Sequence, residues 1–359
     1  MSEARRIPLQ VRDDLADLEP YVSPQQEARY QMNTNESPYE PPDAVMNEVM
    51  DQLRSTLFNR YPDKDASALV SALGNELGRA ADGIWVANGS NEVFLHLFLG
   101  FGGPGRTSLT FEPTYSLHTL IPRITGTRTL SQPRDDSFAI DLDRAVDRLR
   151  LERPDIVIAC SPNNPTGNLE SLTTITALLE EAPGLVVVDE AYIEFGAPEG
   201  SALSLLDDHP NLIVTRTFSK AWRLAGVRLG YMLAHPDLIA DLTRVRLPYH
   251  LSSISQAFGI AALRHRDEML EAVSALAEER DRLSVELQAM GIRSYPSEAN
   301  FVLFEVDDPA AVWSGLSQRG VLVRNYGGMP GLERCLRVTA GLPEETDAFL
   351  GAMREVVGD

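Results

Sequence analysis

Four polar segments carry side chains that could do chemistry together, although each alone is common in turns. They are NGSNE (88–92), SPNNPTG (161–167), DEAY (189–192) and TFSK (217–220). Together they offer an imine-forming amine, a carboxylate, an amide, a phenol and a turn that can bind a phosphate. These are the groups that an enzyme needs to bind and use pyridoxal phosphate. The sequence therefore predicts a site for this cofactor where the four segments meet.

The elements that must position these segments alternate between apolar strands and helices. This alternation is typical of a mostly parallel sheet that is covered by helices on both faces. In such a sheet ligands bind beyond the carboxyl ends of the strands, which is where the four segments are expected. The predicted strands are 83–88, 107–113, 155–161, 184–192, 211–219 and 225–235, and the predicted helices include 65–78, 91–101, 114–124 and 172–182.

The chain after Pro248 changes in texture, which predicts a second and smaller α+β domain. A long, charged amphipathic helix is expected first. The predicted elements are the helix 265–291 and the short strands 299–306, 320–325 and 335–341.

The length of 359 residues fits two domains, because it exceeds what one ordinary hydrophobic core accommodates. We divide the chain into an N-terminal arm at 1–30, a large cofactor-binding domain at 31–248 and a small C-terminal domain at 249–359.

The composition excludes some classes of partner. A formal net charge of −20 predicts repulsion from nucleic acid and from anionic membranes. The two cysteines, Cys160 and Cys335, show no disulfide or zinc pattern. No signal peptide or membrane span is apparent. We therefore expect a cytoplasmic protein without a metal.

A literal G-x-G-x-x-G at Gly100, Gly102 and Gly105 is interpreted as a turn. The dinucleotide fingerprint follows a strand and opens a helix. This one follows a predicted helix and precedes a predicted strand. No G-x-x-x-x-G-K-[ST] loop, G-x-S-x-G elbow or i, i+4 histidine pair occurs, so nucleotide binding by a phosphate loop and hydrolysis by serine or metal have no support.

Eight motifs run in order through nearly the whole chain, and the lysine followed by an arginine eight residues later is highly specific. They are NESPYEPP (35–42), RYP (60–62), NGSNE (88–92), PTYS (113–116), SPNNPTG (161–167), DEAYIEF (189–195), TFSKAWRLAGVRLGY (217–231) and CLRVTAG (335–341). With them the sequence resembles the fold-type-I aminotransferases and, within these, the histidinol-phosphate aminotransferase family. The resemblance implies the α/β fold of type I PLP-dependent transferases. That fold has a mostly parallel seven-stranded sheet covered by helices, a smaller α+β C-terminal domain and an N-terminal arm.

The resemblance also implies roles around the ring of pyridoxal 5'-phosphate. Lys220 would link to the cofactor aldehyde and, once freed, carry the proton of the reaction. Asp189 would pair with the ring nitrogen and keep it protonated. Asn164 and Tyr192 would hydrogen-bond the ring oxygen, and Tyr115 would stack on the ring.

The cofactor phosphate would be held mainly at a strand-to-helix junction. Ser90 and Asn91 stand there, where free backbone N–H groups and the helix dipole bind anions. Ser219 and Arg228 would add a hydroxyl and a positive fork. Tyr61 resembles the family tyrosine that reaches this phosphate from the other subunit, which implies a homodimer.

The substrate contacts are likewise implied by the resemblance. Arg337 resembles the arginine that holds a substrate carboxylate, and for histidinol phosphate it must hold the phosphate. Arg324 and Tyr21 match positions that also contact this phosphate. Asn35 and Asn164 complete the expected substrate site.

The implied function is amino transfer between histidinol phosphate and 2-oxoglutarate, giving imidazole acetol phosphate and glutamate, in histidine biosynthesis. Two alternatives within the family are an aromatic amino acid aminotransferase, in which Arg324 is idle, and a phosphothreonine-type PLP decarboxylase. A cofactor-sensing DNA-binding regulator is disfavoured by the short arm and the acidic charge. The chain departs from common family residues at Ser37, Glu40 and Leu342, of which the first two bear on substrate choice.

One cation of the lysine motif receives no role. Arg223 is interpreted as a solvated surface arginine, although with Trp222 it is expected near the rim of the site.

Overall fold

The computed structural model of the protein describes residues 11–18, 27–196 and 198–358. Tyr21 lies outside the described residues, so its predicted contact with substrate stays a prediction. The described strands form three sheets. They are β1 (Tyr30–Gln31), β2 (Ile84–Ala87), β3 (Thr107–Glu112), β4 (Arg128–Pro133), β5 (Ile156–Cys160), β6 (Leu185–Asp189), β7 (Leu212–Thr217), β8 (Gly230–Ala234), β9 (Phe301–Glu305), β10 (Val321–Leu322), β11 (Arg324–Asn325) and β12 (Cys335–Thr339).

Helices connect the strands along most of the described chain. They are α1 (Asp43–Ser55), α2 (Ser67–Leu77), α3 (Ser90–Gly100), α4 (Leu117–Ile124), α5 (Leu142–Glu152), α6 (Leu172–Glu181), α7 (Pro236–Leu242), α8 (Ser253–Arg264), α9 (Arg266–Leu270), α10 (Ala272–Ala289), α11 (Pro309–Gln318) and α12 (Pro343–Gly358).

The central sheet has seven strands in the order β2-β8-β7-β6-β5-β3-β4. The pairs from β7 to β4 are parallel, whereas β8 is antiparallel to both of its neighbours. Because β8 is antiparallel to both β2 and β7, these two strands point in the same direction. The carboxyl ends of β2, β3, β5, β6 and β7 therefore open at one edge, and the predicted mostly parallel seven-stranded sheet is confirmed.

Apolar side chains cover both faces of this sheet. Successive residues of a strand point to opposite faces. Val157 accordingly packs with Leu149 of α5 and Leu178 of α6, while Ile158 packs with Phe94 of α3 on the other side. Burial on both faces explains why β5 is apolar throughout rather than alternating.

The helix ends follow local backbone chemistry. Gly78 adopts φ 62 just after α2, which is the left-handed position where glycine ends a helix. Gly102 and Gly105 lie in the turn between α3 and β3, so the interpretation of the glycine motif as a turn is confirmed. Among the described residues, no helix combines the length and the apolar character needed to cross a membrane.

The C-terminal part forms an antiparallel sheet in the order β11-β12-β9. In this sheet Arg324 lies opposite Arg337. The strand β1 pairs in parallel with β10, so Tyr30 lies opposite Val321. This pairing ties the chain just before the predicted large domain to the predicted small one. The domain boundaries given above stay predictions.

Three element predictions were wrong in part. The predicted strand 225–235 begins only at Gly230, because Arg228 has φ 56 and a left-handed residue cannot continue a strand. The predicted helix 265–291 is divided at Glu271 into α9 and α10. The predicted strand 320–325 is two short strands, β10 and β11, which belong to different sheets.

Gly184 provides a test of the close packing of β5 against β6. A Cβ atom on Gly184 would lie 2.1 Å from the carbonyl oxygen of Asp155, which accepts the first hydrogen bond of β6 from Leu185 N. Gly184→Ala should therefore lower the free energy of unfolding by about 2–4 kcal/mol, measured by urea denaturation.

The matched control is Gly351→Ala, because nothing lies within 4 Å of its added Cβ in the middle of α12. That change should raise stability by about 0.5–1 kcal/mol, since alanine is the better helix former. Equal stability of the two variants would contradict the close approach at Gly184.

Candidate active site

A cavity of about 660 Å³ lies at the edge where five strands of the central sheet end. Its wall takes residues from the segments that follow β2, β3, β5, β6 and β7, and from the C-terminal sheet. Twelve of the predicted site residues line it, namely Asn35, Ser90, Asn91, Tyr115, Asn164, Asp189, Tyr192, Ser219, Lys220, Arg228, Arg324 and Arg337.

The Lys220 amine lies in the segment after β7 and donates a hydrogen bond to the Thr34 carbonyl oxygen at 2.9 Å. Burial, followed by the positive charges of Arg337 and Arg228, lowers the pKa of Lys220 to about 8. The exposed carboxylate of Glu36 acts in the opposite direction. A large fraction of the amine is therefore neutral near pH 8, as a nucleophile or proton acceptor requires.

The Asp189 carboxylate ends β6 and is buried in the cavity wall, 3% exposed. Its Oδ1 accepts a hydrogen bond from Thr215 Oγ1 at 2.9 Å, and its Oδ2 lies 3.0 Å from His118 Nε2. His118 in turn has its Nδ1 3.3 Å from Thr114 Oγ1. These contacts fix the carboxylate and compensate its removal from water.

The Tyr192 hydroxyl accepts hydrogen bonds from two side-chain amides. Asn35 Nδ2 donates at 2.9 Å and Asn164 Nδ2 at 3.3 Å. Burial raises the pKa of Tyr192 well above its usual range, so the phenol keeps its proton and can donate it to a ligand.

A group of hydrogen-bond donors that suits a phosphate lies where α3 begins. Arg228 Nη1 donates to Ser219 Oγ at 3.3 Å and to the Ala225 carbonyl oxygen at 3.0 Å. A Cβ on Gly89, which has φ 82, would lie 2.8 Å from Arg228 Nη2. Only glycine therefore lets this guanidinium approach the helix start. No side chain caps α3, so the first N–H groups of the helix can bind an anion.

Tyr115 follows β3 and packs edge-on against His118, with ring centroids 5.5 Å apart and an interplanar angle of 89°. Its hydroxyl donates to Asn91 Oδ1 at 3.3 Å. This places its ring in the wall between the carboxylate of Asp189 and the start of α3.

His118, Cys160 and Asp189 have ligand atoms within 4.8 Å of one another, which is close enough to consider a metal. Burial and the nearby Asp189 carboxylate raise the pKa of Cys160 far above its usual range. A cysteine must lose its proton to bind a metal. Cys160 is accordingly a buried thiol here, and it donates to the Pro162 carbonyl oxygen at 3.5 Å.

Arg337 enters the cavity from β12 and is 4% exposed. Its Nη1 donates to Asn164 Oδ1 and to the Tyr326 hydroxyl, and its Nη2 donates to the Asn33 carbonyl oxygen at 2.9 Å. None of these partners is anionic, so the guanidinium charge is available to an anionic ligand. Arg324 lies opposite it in the sheet and also lines the cavity.

Tyr61 is not part of this cavity wall. Its side chain is 80% exposed and stacks on Tyr249, with ring centroids 4.4 Å apart. Such exposure in one subunit agrees with a residue that contacts another subunit, and this role stays a prediction.

The interpretation of Arg223 as a solvated cation was wrong. The residue has φ 54, and its guanidinium donates to the carbonyl oxygens of Glu40 and Glu268 at 3.4 and 3.3 Å. It also lies over the Tyr39 ring, 5.5 Å from the centroid. Arg223 therefore ties the segment before α1 to α9.

Among the residues that the sequence analysis missed, Asn33, Thr34 and Tyr326 line the cavity, and His118 contacts Asp189 from outside the cavity wall. His118 follows Tyr115 by three residues, which is a signal only if the start of α4 at Leu117 is known. Asn33 and Thr34 contribute backbone carbonyls, for which side-chain chemistry gives no signal. Tyr326 cannot be distinguished from an ordinary core tyrosine by its local sequence.

The fold of this site is found in solved structures of aminotransferases. A structure of histidinol-phosphate aminotransferase from Sinorhizobium meliloti in complex with pyridoxal-5'-phosphate superposes with a TM-score of 0.88 at 26% identity, over 99% of this chain and 98% of that one. The protein thus has the fold of a PLP-dependent aminotransferase.

The sequence comparisons narrow this class. The family described as aminotransferase class I and II matches residues 30–352. Histidinol-phosphate aminotransferase from Thermobifida fusca is 46% identical over 98% of this chain and 96% of its own, and that from Mycobacterium marinum is 45% identical over 97% and 92%. The chain belongs to the class I and II aminotransferase family. Within that family it is similar to histidinol-phosphate aminotransferases.

The lowered pKa of Lys220 leads to a pH prediction. In the ligand-free protein, acetylation of Lys220 should rise with pH to a midpoint near pH 8, because the protonated amine below that pH is unreactive. Mass spectrometry of peptides measures the labelled fraction. Arg337→Gln removes a neighbouring positive charge and should move the midpoint to higher pH.

The chain has only one other lysine, Lys64, whose side chain is 61% exposed and serves as the reference in the same sample. Identical pH profiles for the two lysines would contradict the electrostatic account of the site.

Proposed function

We propose that this protein is a histidinol-phosphate aminotransferase that uses pyridoxal 5'-phosphate. It transfers an amino group between histidinol phosphate and 2-oxoglutarate, giving imidazole acetol phosphate and glutamate, in histidine biosynthesis. The observation that carries the proposal is that Arg228, Arg324 and Arg337 line one cavity together with the Lys220 amine. One arginine suits the cofactor phosphate, and two remain for a phosphorylated substrate.

The residues present fit the cofactor. The hydrogen-bond donors at the start of α3 suit its phosphate, namely Ser90, Asn91, Ser219 and Arg228. The absence of a side chain at Gly89 leaves the space that the Arg228 guanidinium occupies there. When bound, pyridoxal phosphate supplies an electron sink that stabilises the carbanion left by loss of the substrate Cα proton.

Three side chains would act around the cofactor ring. Asp189, fixed by His118 and Thr215, would hold a proton on the ring nitrogen by its negative charge. Tyr192 and Asn164 would hydrogen-bond the ring oxygen, and Tyr115 would cover one face of the ring.

Lys220 would bind the cofactor covalently and also carry the reaction's proton. Once freed from the cofactor, its Nζ would accept the proton that leaves the substrate Cα and return it later in the transfer. A pKa of about 8 suits both roles, since the amine is then able to accept and to give a proton near neutral pH.

Both anionic substrates would meet Arg337 in turn. Histidinol phosphate presents its phosphate, and 2-oxoglutarate presents a carboxylate. Arg324, on the neighbouring strand, would contact the phosphate. Asn35 and Asn164 would form the part of the cavity wall on the cofactor side. Tyr21 is proposed as a further phosphate contact from the N-terminal arm.

The active enzyme is proposed to be a homodimer in the cytoplasm. Leu57 and Phe58, near Tyr61, are 69% and 62% exposed, and a surface of large apolar side chains is typical of an interface. Tyr61 would reach the cofactor phosphate of the partner subunit. Both cysteines are free thiols, which agrees with a reducing compartment.

Substrate preference tests the proposed reaction. With 2-oxoglutarate as acceptor, kcat/KM for histidinol phosphate should exceed that for phenylalanine at least about a hundredfold, because phenylalanine offers Arg337 a carboxylate but has no phosphate for Arg324. A preference for phenylalanine would favour the aromatic aminotransferase instead.

Two lysine variants serve as controls for that assay. Lys220→Ala should abolish turnover, whereas Lys64→Ala, at an exposed site, should leave it unchanged. Borohydride treatment of the yellow holoenzyme should attach the cofactor to Lys220 alone of the two lysines, and labelling elsewhere would refute the assignment.

Mixed dimers test the role of Tyr61. Tyr61→Ala should weaken cofactor binding roughly tenfold through loss of a hydrogen bond to a charged group. Tyr61→Ala subunits, assayed at a cofactor concentration too low to fill their sites, are mixed in equal amounts with inactive Lys220→Ala subunits, and half of the sites in each mixed dimer then regain both residues. Turnover should recover to about a quarter of the wild-type value. No recovery, in mixtures shown to exchange subunits, would mean that Tyr61 serves the active site of its own subunit.

A further inference from the structure

Tyr326 stands next to Arg337 in the cavity wall, in the loop between β11 and β12. The residue is 9% exposed, and its ring belongs to an apolar cluster with Tyr295, Leu303 and Leu332. The hydroxyl accepts a hydrogen bond from Arg337 Nη1 at 2.8 Å, and the ring centroid is 5.5 Å from the guanidinium carbon. The ring is thus packed in the apolar cluster, while the hydroxyl contacts Arg337 at the site.

The sheet fixes this neighbourhood. Arg324 and Arg337 are directly opposite each other, and Tyr326 follows Arg324 by two residues, which places it on the same face. Tyr326 N also donates to the Cys335 carbonyl oxygen at 3.0 Å, so the backbone beyond β11 stays in register with β12. Two cations and one phenol therefore share one side of the cavity.

The hydrogen bonds of Arg337 leave a defined pair of donors. A guanidinium has five N–H groups. Nη1 uses both of its own on Asn164 and Tyr326, and Nη2 uses one on Asn33. Nε is buried without a partner among the described residues. The Nε–H and the second Nη2–H remain, and they can hold two oxygens of an anion.

The Tyr326 hydroxyl adds a third donor to this pair. A phenol can accept and donate at the same time. Its oxygen already accepts from Arg337 Nη1, which orients the hydroxyl and leaves its own O–H able to donate within the cavity that both residues line.

We propose that Tyr326 is a specificity-determining residue that favours a phosphate monoester over a carboxylate at Arg337. The phosphate has three terminal oxygens, of which Arg337 holds two and Tyr326 the third. A carboxylate has two oxygens and fills the arginine fork alone. This inference rests on the proposed function, in which the same arginine receives a phosphate in one half-reaction and a carboxylate in the other.

Tyr326→Phe in the holoenzyme tests the inference, because it removes only the hydroxyl and keeps the ring under the guanidinium. In ping-pong kinetics kcat/KM for each substrate reports its own half-reaction. The value for histidinol phosphate should fall about tenfold, the loss expected for a hydrogen bond to a charged group. The value for 2-oxoglutarate should fall by less than about threefold.

The matched control is Tyr295→Phe. Tyr295 belongs to the same apolar cluster, but its hydroxyl donates to Glu305 and not to the cavity. This variant should leave both kcat/KM values unchanged. Equal losses for the two substrates in Tyr326→Phe would mean that Tyr326 only positions Arg337, and unchanged values would mean that its hydroxyl is not used. Either result overturns the proposal.

A binding measurement separates this inference from the proposed function. Titration calorimetry on the holoenzyme gives Kd for inorganic phosphate and for acetate. Tyr326→Phe should weaken phosphate about tenfold and acetate much less. If the wild-type enzyme fails to turn over histidinol phosphate, the proposed function is wrong, yet the phosphate titration still decides the role of Tyr326. Equal weakening of both anions, or none, would refute it.

Discussion

Four cationic side chains share one cavity, and their mutual repulsion is the constraint around which the site is built. Lys220 lies close enough to Arg337 and Arg228 for their charges to add to burial in lowering its pKa to about 8. Such a group of like charges is stable only where neutral acceptors replace water. The carbonyl oxygens of Asn33 and Thr34 do this for Arg337 and Lys220. Anionic ligands would complete the compensation, so the same repulsion that raises the energy of the empty site favours binding.

The parallel sheet makes this arrangement possible because it brings five strand ends to one edge. Asp189 pairs with Cys160 on one side and Thr215 on the other, so a carboxylate and its hydroxyl partner follow directly from strand register. The antiparallel C-terminal sheet contributes Arg324 and Arg337 to the same cavity. The segment before α1 then closes the wall between the two sheets, where Asn35 contacts both Tyr192 and Thr339.

Much of the fold could be predicted from the sequence, and the errors have physical reasons. The apolar runs of β5 and β6 are buried on both faces and admit no other interpretation. The strand predicted from 225 failed because the left-handed backbone at Arg228 is stabilised by contacts with Ser219 and the start of α3, which local sequence does not contain. Arg223 looked solvated because its acceptors, the carbonyls of Glu40 and Glu268, come from distant parts of the chain.

The sequence by itself determined the chemical groups of this protein, the strands that carry them and the family to which it belongs. Lys220, Asp189 and Asn164 could be chosen because their residue types and their positions at strand ends are local properties. Only the tertiary structure decided how those groups are tuned. The lowered pKa of Lys220, the support of Asp189 by His118 and the pairing of Tyr326 with Arg337 depend on distances between segments remote in the chain. Electrostatic energies and hydrogen bonds follow such distances, and a sequence does not contain them.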